Sequence, residues 1–175
     1  TTQEDIDIAK KILVGEQRIP RIGTGIDVHR FIKGSGIILC GINIPFHSSL
    51  LGHSDADVAI HAITDSILGA IGNGDIGELF PPDDPKWKNS DSEIFLKDSV
   101  KRVDILGGII SNIDLTIICE EPKISPFRDE MRRNLARILK LELNQVNIKA
   151  TTTEQLGFTG RREGIAAHAI SCILL

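Results

Sequence analysis

Two stretches of this chain, residues 113–119 and 165–174, are dominated by apolar and β-branched residues, and segments with helical spacing run between and around them. Short runs of that kind read as strands, and strands this apolar read as buried on both faces. Further strands are predicted at 21–29, 37–40 and 146–150, with a return limb at 43–45. Helices are predicted over 55–69, 92–106 and 125–141. Their ends are marked by the glycine-rich run 69–77, by Gly107-Gly108, and by Ser125-Pro126, where proline at a first helical position sacrifices no hydrogen bond. Strands and helices alternate without internal repeats. That pattern predicts an α/β (α+β) fold, a two-layer sandwich with a mixed β-sheet and helices on one face. The other face then needs a cover, which predicts self-association. Gly23 and Gly25 within the first strand predict a close backbone approach. Residues 46–52 read as loop. Residues 81–92, long and polar, read as a loop placed to act as a flap.

A chain of 175 residues buries a proper core as one domain. Residues 21–175 are expected to form it. Residues 1–20 read as an N-terminal extension closed by Pro20, with Ile6, Ile8, Ile12 and Leu13 forming a short amphipathic turn. The net charge of −4, without a block of Lys and Arg, gives nucleic-acid binding no support. No apolar run approaches the ~20 residues of a membrane-spanning helix, so no membrane partner is expected. The three cysteines, Cys40, Cys119 and Cys172, stand singly in apolar stretches and read as small buried hydrophobes. Any metal must therefore use His and Asp.

One constellation offers such ligands. Asp27 and His29 lie two apart on a strand and project from one face. His61 stands about a turn inside the following helix, after His53-Ser54-Asp55-Ala56-Asp57. A lone helical histidine is more often a hydrogen-bonded structural residue than a ligand. If the helix packs over the strand, however, one carboxylate and two imidazoles converge, which is how a catalytic zinc with an open position is held. Asp65, four residues after His61, is placed to orient that imidazole. Ala150-Thr151-Thr152-Thr153-Glu154 sets three hydroxyls and a carboxylate at a strand end, suited to phosphate and to Mg²⁺ or Mn²⁺ as well as to a plain threonine-rich turn. Arg161, after Phe158-Thr159-Gly160, adds a cation for phosphate. Asp75 between Gly74 and Gly77 suits a polyol or a helix-ending turn. Taken together, these parts fit phosphoryl transfer on a diphosphate.

The segments 23–29, 52–58, His61-Ala62, Thr64-Asp65, 74–77 and 150–161 occur in order and spacing that resemble the 2-C-methyl-D-erythritol 2,4-cyclodiphosphate synthases of the non-mevalonate isoprenoid pathway. The likeness runs from about residue 21 to 173. It implies a homotrimer with interfacial active sites, acting on the cytidine diphosphate substrate 4-diphosphocytidyl-2-C-methyl-D-erythritol 2-phosphate with loss of CMP. It further implies that Asp27, His29 and His61 bind Zn²⁺ and that Glu154, helped by Thr152, binds Mg²⁺ or Mn²⁺. Asp75 would accept from the erythritol hydroxyls, and His53 and Ser54 would line the phosphate pocket. Cys119 to Ile124, including Pro122 and Lys123, would form the cytosine pocket with the adjacent subunit. Phe158, Arg161 and Glu163 would line a central cavity able to take an isoprenoid diphosphate. Four features depart from the family pattern: Thr24, Ile26, the pair Glu120-Glu121 beside the nucleotide pocket, and the doubled Arg161-Arg162. The competing readings are a zinc-dependent phosphohydrolase and a non-catalytic, metal-stabilised trimer. The isoleucine-rich composition and the extension suit a plastid enzyme without its transit segment, with the bacterial cytoplasm as the alternative.

Overall fold

The computed structural model describes residues 2, 3, 5, 6, 18–81, 83–87 and 90–175. The amphipathic turn expected over Ile8, Ile12 and Leu13 lies outside them. Strand β1 (Pro20–Lys33) is followed by the hairpin β2 (Gly36–Leu39) and β3 (Ile42–Pro45), then by β4 (Ser48–Leu50). Helices α1 (Val58–Ile71) and α2 (Ile76–Leu79) come next, then α3 (Glu93–Ile105) and β5 (Ile109–Ile118). The chain ends with α4 (Arg128–Leu139), β6 (Val146–Thr151), α5 (Gly157–Gly160) and β7 (Gly164–Leu174).

The main sheet has the order β4-β1-β7-β5-β6 and is mixed: β5 and β6 are parallel, the other pairs antiparallel. Helices pack on one of its faces, α1 against β1 and β7 and α4 against β6, as the sequence predicts. Two expectations change. The loop 46–52 contains β4, which extends the sheet by pairing with Phe31, Ile32 and Lys33. The apolar strands are not buried on both faces. Buried and accessible residues alternate along β5, with Asp114 and Thr116 on the accessible side. Ile22 and Ile26 of β1 are 63% and 65% exposed on the helix-free face, and Val28 and Ile170 are exposed there too. An apolar composition does not distinguish a doubly buried strand from one whose second face stays open.

The contact that positions the site is that between α1 and β1. A Cβ on Gly23 would lie 1.9 Å from the Ser66 carbonyl oxygen, and one on Gly25 would lie 2.1 Å from that of Ala62. The predicted close approach is therefore real: helix backbone rests directly on strand backbone. Helix α1 is capped by Asp57, whose carboxylate accepts from the Ile60 amide at 3.0 Å and also from Cys40 and Gly41, tying the β2–β3 turn to the helix start. It ends at Gly72 in the left-handed conformation (φ 68°). Rather than being amphipathic, α1 is buried nearly all round. Only His61, Asp65 and Gly69, spaced four apart, form a stripe that solvent can reach.

Candidate metal centre

Along the inner side of β1 the sequence reads Gly23, Gly25, Asp27, His29. The two glycines admit the helix, and the next two residues turn their side chains into the space beside its first turns. There Asp27 Oδ2 lies 3.0 Å from His29 Nε2 and 2.9 Å from His61 Nδ1, and the two nitrogens are 3.2 Å apart. Among the described residues this trio is the group of three or more His, Cys, Asp or Glu side chains arranged to hold an ion.

The outward nitrogens fix how the imidazoles face. His29 Nδ1 is 2.6 Å from the Leu51 carbonyl, which can only accept, so Nε2 presents a lone pair inward. His61 Nε2 lies 2.9 Å from Ser92 Oγ and 3.1 Å from Ser54 Oγ. Burial of Asp27 opposes its ionisation, but the His29 and His61 imidazoles beside it outweigh burial and hold its carboxyl well below the ordinary range. Burial would depress His29, yet the Asp27 carboxylate raises its basicity. Three convergent acceptors around one point need a positive charge between them, and the donor set of two imidazoles and one carboxylate fits a divalent cation with an open position.

The trio opens on a cavity of about 590 Å³, also lined by Leu51, His53, Ser54, Asp65, Ile76, Gly77, Phe80, Trp87 and Phe95. His53 and Ser54 thus line the same cavity as the trio. Asp65 lines the cavity but does not hold His61: its carboxylate accepts from the Ile76 amide at 2.7 Å, fastening α2 to α1. The i,i+4 spacing brings it to the correct face, and the nearby amide claims it. Asp75 is exposed and caps α2 through the Glu78 amide at 2.8 Å, while its neighbours Ile76 and Gly77 line the cavity.

The remaining predicted residues lie elsewhere. Asp27 pairs with Ala167, Ala167 with Ile117, and Ile117 with Ala150. Ala150 therefore lies three strand spacings from Asp27, roughly 14 Å. Beyond it Thr151, Thr152 and Glu154 are exposed, with Thr152 Oγ1 donating to Glu154 Oε1 at 2.9 Å. Thr153 Oγ1 bonds the Leu156 carbonyl and Thr159. Segment 119–124 sits beside this edge, with Cys119 and Ile124 buried, Lys123 exposed, and Cys119 Sγ donating to the Pro122 carbonyl. Burial pushes the Cys119 thiol up to about 11. Glu120 accepts from the amides of Thr153 and Gln155, each at 3.1 Å, and so joins the two segments. Glu121 approaches Arg162 at 3.7 Å, so the two doubled-residue departures meet each other. Arg161 is clamped by Glu163 at 2.8 and 3.2 Å, and Phe158 beside them is exposed. Sequence reasoning missed Ser92 and the aromatic wall Phe80, Trp87 and Phe95. The only available signal was a serine at a helix start and aromatics in a chain with few of them.

A mixed sheet layered by helices, carrying on its first strand and first helix an Asp-His-His group that could hold a metal ion, defines an α/β protein with a candidate metal site. The YgbB family model matches residues 20–174, and the chain belongs to that family. It is 52% identical over 174 residues to the "Bifunctional enzyme IspD/IspF" of Hyphomonas neptunium, covering 99% of this chain and 46% of that protein. The chain thus spans less than half the length of the curated relative. Among solved structures, a 2C-methyl-D-erythritol-2,4-cyclodiphosphate synthase superposes with a TM-score of 0.81 at 37% identity, covering 87% of this chain and 99% of that one. A CDP complex of Plasmodium falciparum IspF gives 0.78 at 34% identity, covering 89% and 96%. These are the proteins that the sequence motifs resemble.

Proposed function

We propose that this chain closes a cyclic diphosphate, converting 4-diphosphocytidyl-2-C-methyl-D-erythritol 2-phosphate to 2-C-methyl-D-erythritol 2,4-cyclodiphosphate and CMP. The observation that carries this reading is the set of three inward-facing acceptors, Asp27, His29 and His61, on the wall of a cavity of about 590 Å³. Two imidazoles and a carboxylate suit Zn²⁺ better than a hard cation, whereas exposed Glu154 with Thr152 suits Mg²⁺ or Mn²⁺ held largely by substrate phosphates. Bound there, the two cations would neutralise charge on neighbouring phosphoryl groups. A nonbridging oxygen of the substrate's 2-phosphate attacks the β-phosphorus, the bond from that phosphorus to the bridging oxygen breaks, and CMP leaves with the electron pair. No side chain need act as nucleophile; the chain supplies position and charge complementarity. His53 and Ser54 flank the phosphate, and Asp75 keeps one carboxylate oxygen for the polyol.

One diphosphate is shorter than the roughly 14 Å that separates Asp27 from Ala150, the strand position that leads to Thr152 and Glu154. The Asp27 half of one subunit is therefore completed by the 119–124 and 150–154 edge of another, where the cytidine is held. The open apolar sheet face supports the same homotrimer, with Phe158, Arg161 and Glu163 around its central cavity, where an isoprenoid diphosphate would bind. The bacterial relative supports the bacterial cytoplasm as the compartment and gives the expected plastid no support.

Phosphorus NMR of the protein with this substrate, Zn²⁺ and Mg²⁺ tests the reading. The expected outcome is a cyclic diphosphate with one equivalent of CMP. Release of linear phosphate would replace it with a phosphohydrolase, and an inert, metal-loaded oligomer would replace it with a structural role.

A further inference from the structure

Ser92 occupies the N-cap position of α3, where serine ordinarily accepts from a helix amide, yet its side chain makes no capping bond. It is fully buried and points to the metal centre instead. Its Oγ–H donates to Asp55 Oδ1, and the other Asp55 oxygen accepts from the Ser92 amide at 3.0 Å. The Asp55 amide in turn donates to the Ser90 carbonyl at 3.1 Å, so the end of loop 81–92 is pinned to the segment that precedes α1. With its proton committed to a carboxylate, Ser92 Oγ faces His61 Nε2 at 2.9 Å as an acceptor.

We infer that Asp55 and Ser92 form a positioning relay that holds His61 with its proton on Nε2 and its Nδ1 lone pair aimed at the metal. A ligating imidazole needs such an outer partner to fix both tautomer and ring angle. His29 takes its partner from the Leu51 backbone; His61 takes its partner from a side chain delivered by a different helix. Ser54 Oγ is farther, at 3.1 Å, lines the cavity and already accepts from the Ala56 amide, so it is the lesser support. The relay also makes metal affinity depend on the docking of Ser90 and Ser92 against Asp55.

The inference rests on the reading of Asp27, His29 and His61 as metal ligands, which zinc binding by the unaltered protein tests separately. Competition with a chromophoric chelator should show Ser92→Ala binding Zn²⁺ about 10–100-fold more weakly, with Ser54→Ala affected less. Asp55→Asn should be at least as damaging as Ser92→Ala. Its oxygen must serve the Ser92 amide, so its NH₂ meets Oγ, turns the hydroxyl proton toward His61 and opposes the Nε2–H form. In the zinc-loaded protein, NMR should find a His61 Nε2–H proton protected from exchange, and it should lose that protection in both variants. Unchanged zinc affinity in Ser92→Ala and Asp55→Asn would overturn the relay. So would a larger effect of Ser54→Ala, or an unprotected Nε2–H in the zinc-loaded unaltered protein. The NMR measurement needs no variant and decides the matter if a substitution fails to fold.

Discussion

The two halves of the proposed site differ in how their side chains are held. Around Asp27, His29 and His61, each imidazole is gripped from behind by an atom of another segment, Leu51 or Ser92, and the carboxylate is flanked by both rings. At the far edge of the sheet, Thr151, Thr152, Glu154 and Lys123 stand in solvent, and the order they have comes from Glu120 bonding backbone amides. A single chain can rigidify only what it buries between its own elements. The first half lies between β1, α1 and α3; the second lies at β6, the sheet's terminal strand among the described residues.

The sharpest way to break that contrast is to damage each half in turn. His61→Ala should abolish stoichiometric zinc, read by elemental analysis, and lower turnover on the order of 10³-fold. Glu154→Gln should lower turnover comparably while zinc stays at one per chain; joint loss of zinc would mean that the halves are not separate. Next in effect, Ile26→Asp places a charge on the open sheet face. Sedimentation should then report monomer, with zinc retained and turnover gone. An unchanged oligomer would move the interface elsewhere.

A third test concerns the scaffold. Gly25→Ala would push a methyl group into the Ala62 carbonyl and should destabilise the fold by about 3 kcal/mol in denaturant titration, weakening zinc binding as α1 lifts from β1. The smallest effect is on pH dependence. Burial pushes the Asp57 carboxyl up to about 6, against the amides of Ile60, Gly41 and Cys40, with Asp55 adding to the rise. The folded protein therefore binds this proton more tightly than the unfolded chain does. Through this group, stability falls as pH rises from the ordinary carboxylate range through about 6. Asp57→Asn should flatten that slope in denaturant titrations at pH 4.5 and 7; an unaltered slope would assign it to another group.

Much of this was legible in the residues. Asp27 and His29 share a face because a strand repeats every two residues, and Gly23 and Gly25 announce the contact that brings His61 to them. Asp65 shows the limit of spacing: it reached the predicted face and was bonded by the Ile76 amide. Glu120 was placed beside a nucleotide by position in the chain, yet its carboxylate is occupied by Thr153 and Gln155. Ser92 looked like an ordinary helix start.

By itself, then, the sequence determined the alternation of strands and helices, the shared face of Asp27 and His29, and an apolar sheet seeking a cover. Each follows from short-range periodicity and local backbone preference, which act within a few residues. The tertiary structure decided which face of the sheet stays open, which nitrogen of each ring turns inward, and that β6, the strand leading to Glu154, lies three strands from Asp27 on β1. Those depend on strand order and on hydrogen bonds such as His61 to Ser92, which joins residues 31 positions apart and so leaves no local trace in the chain.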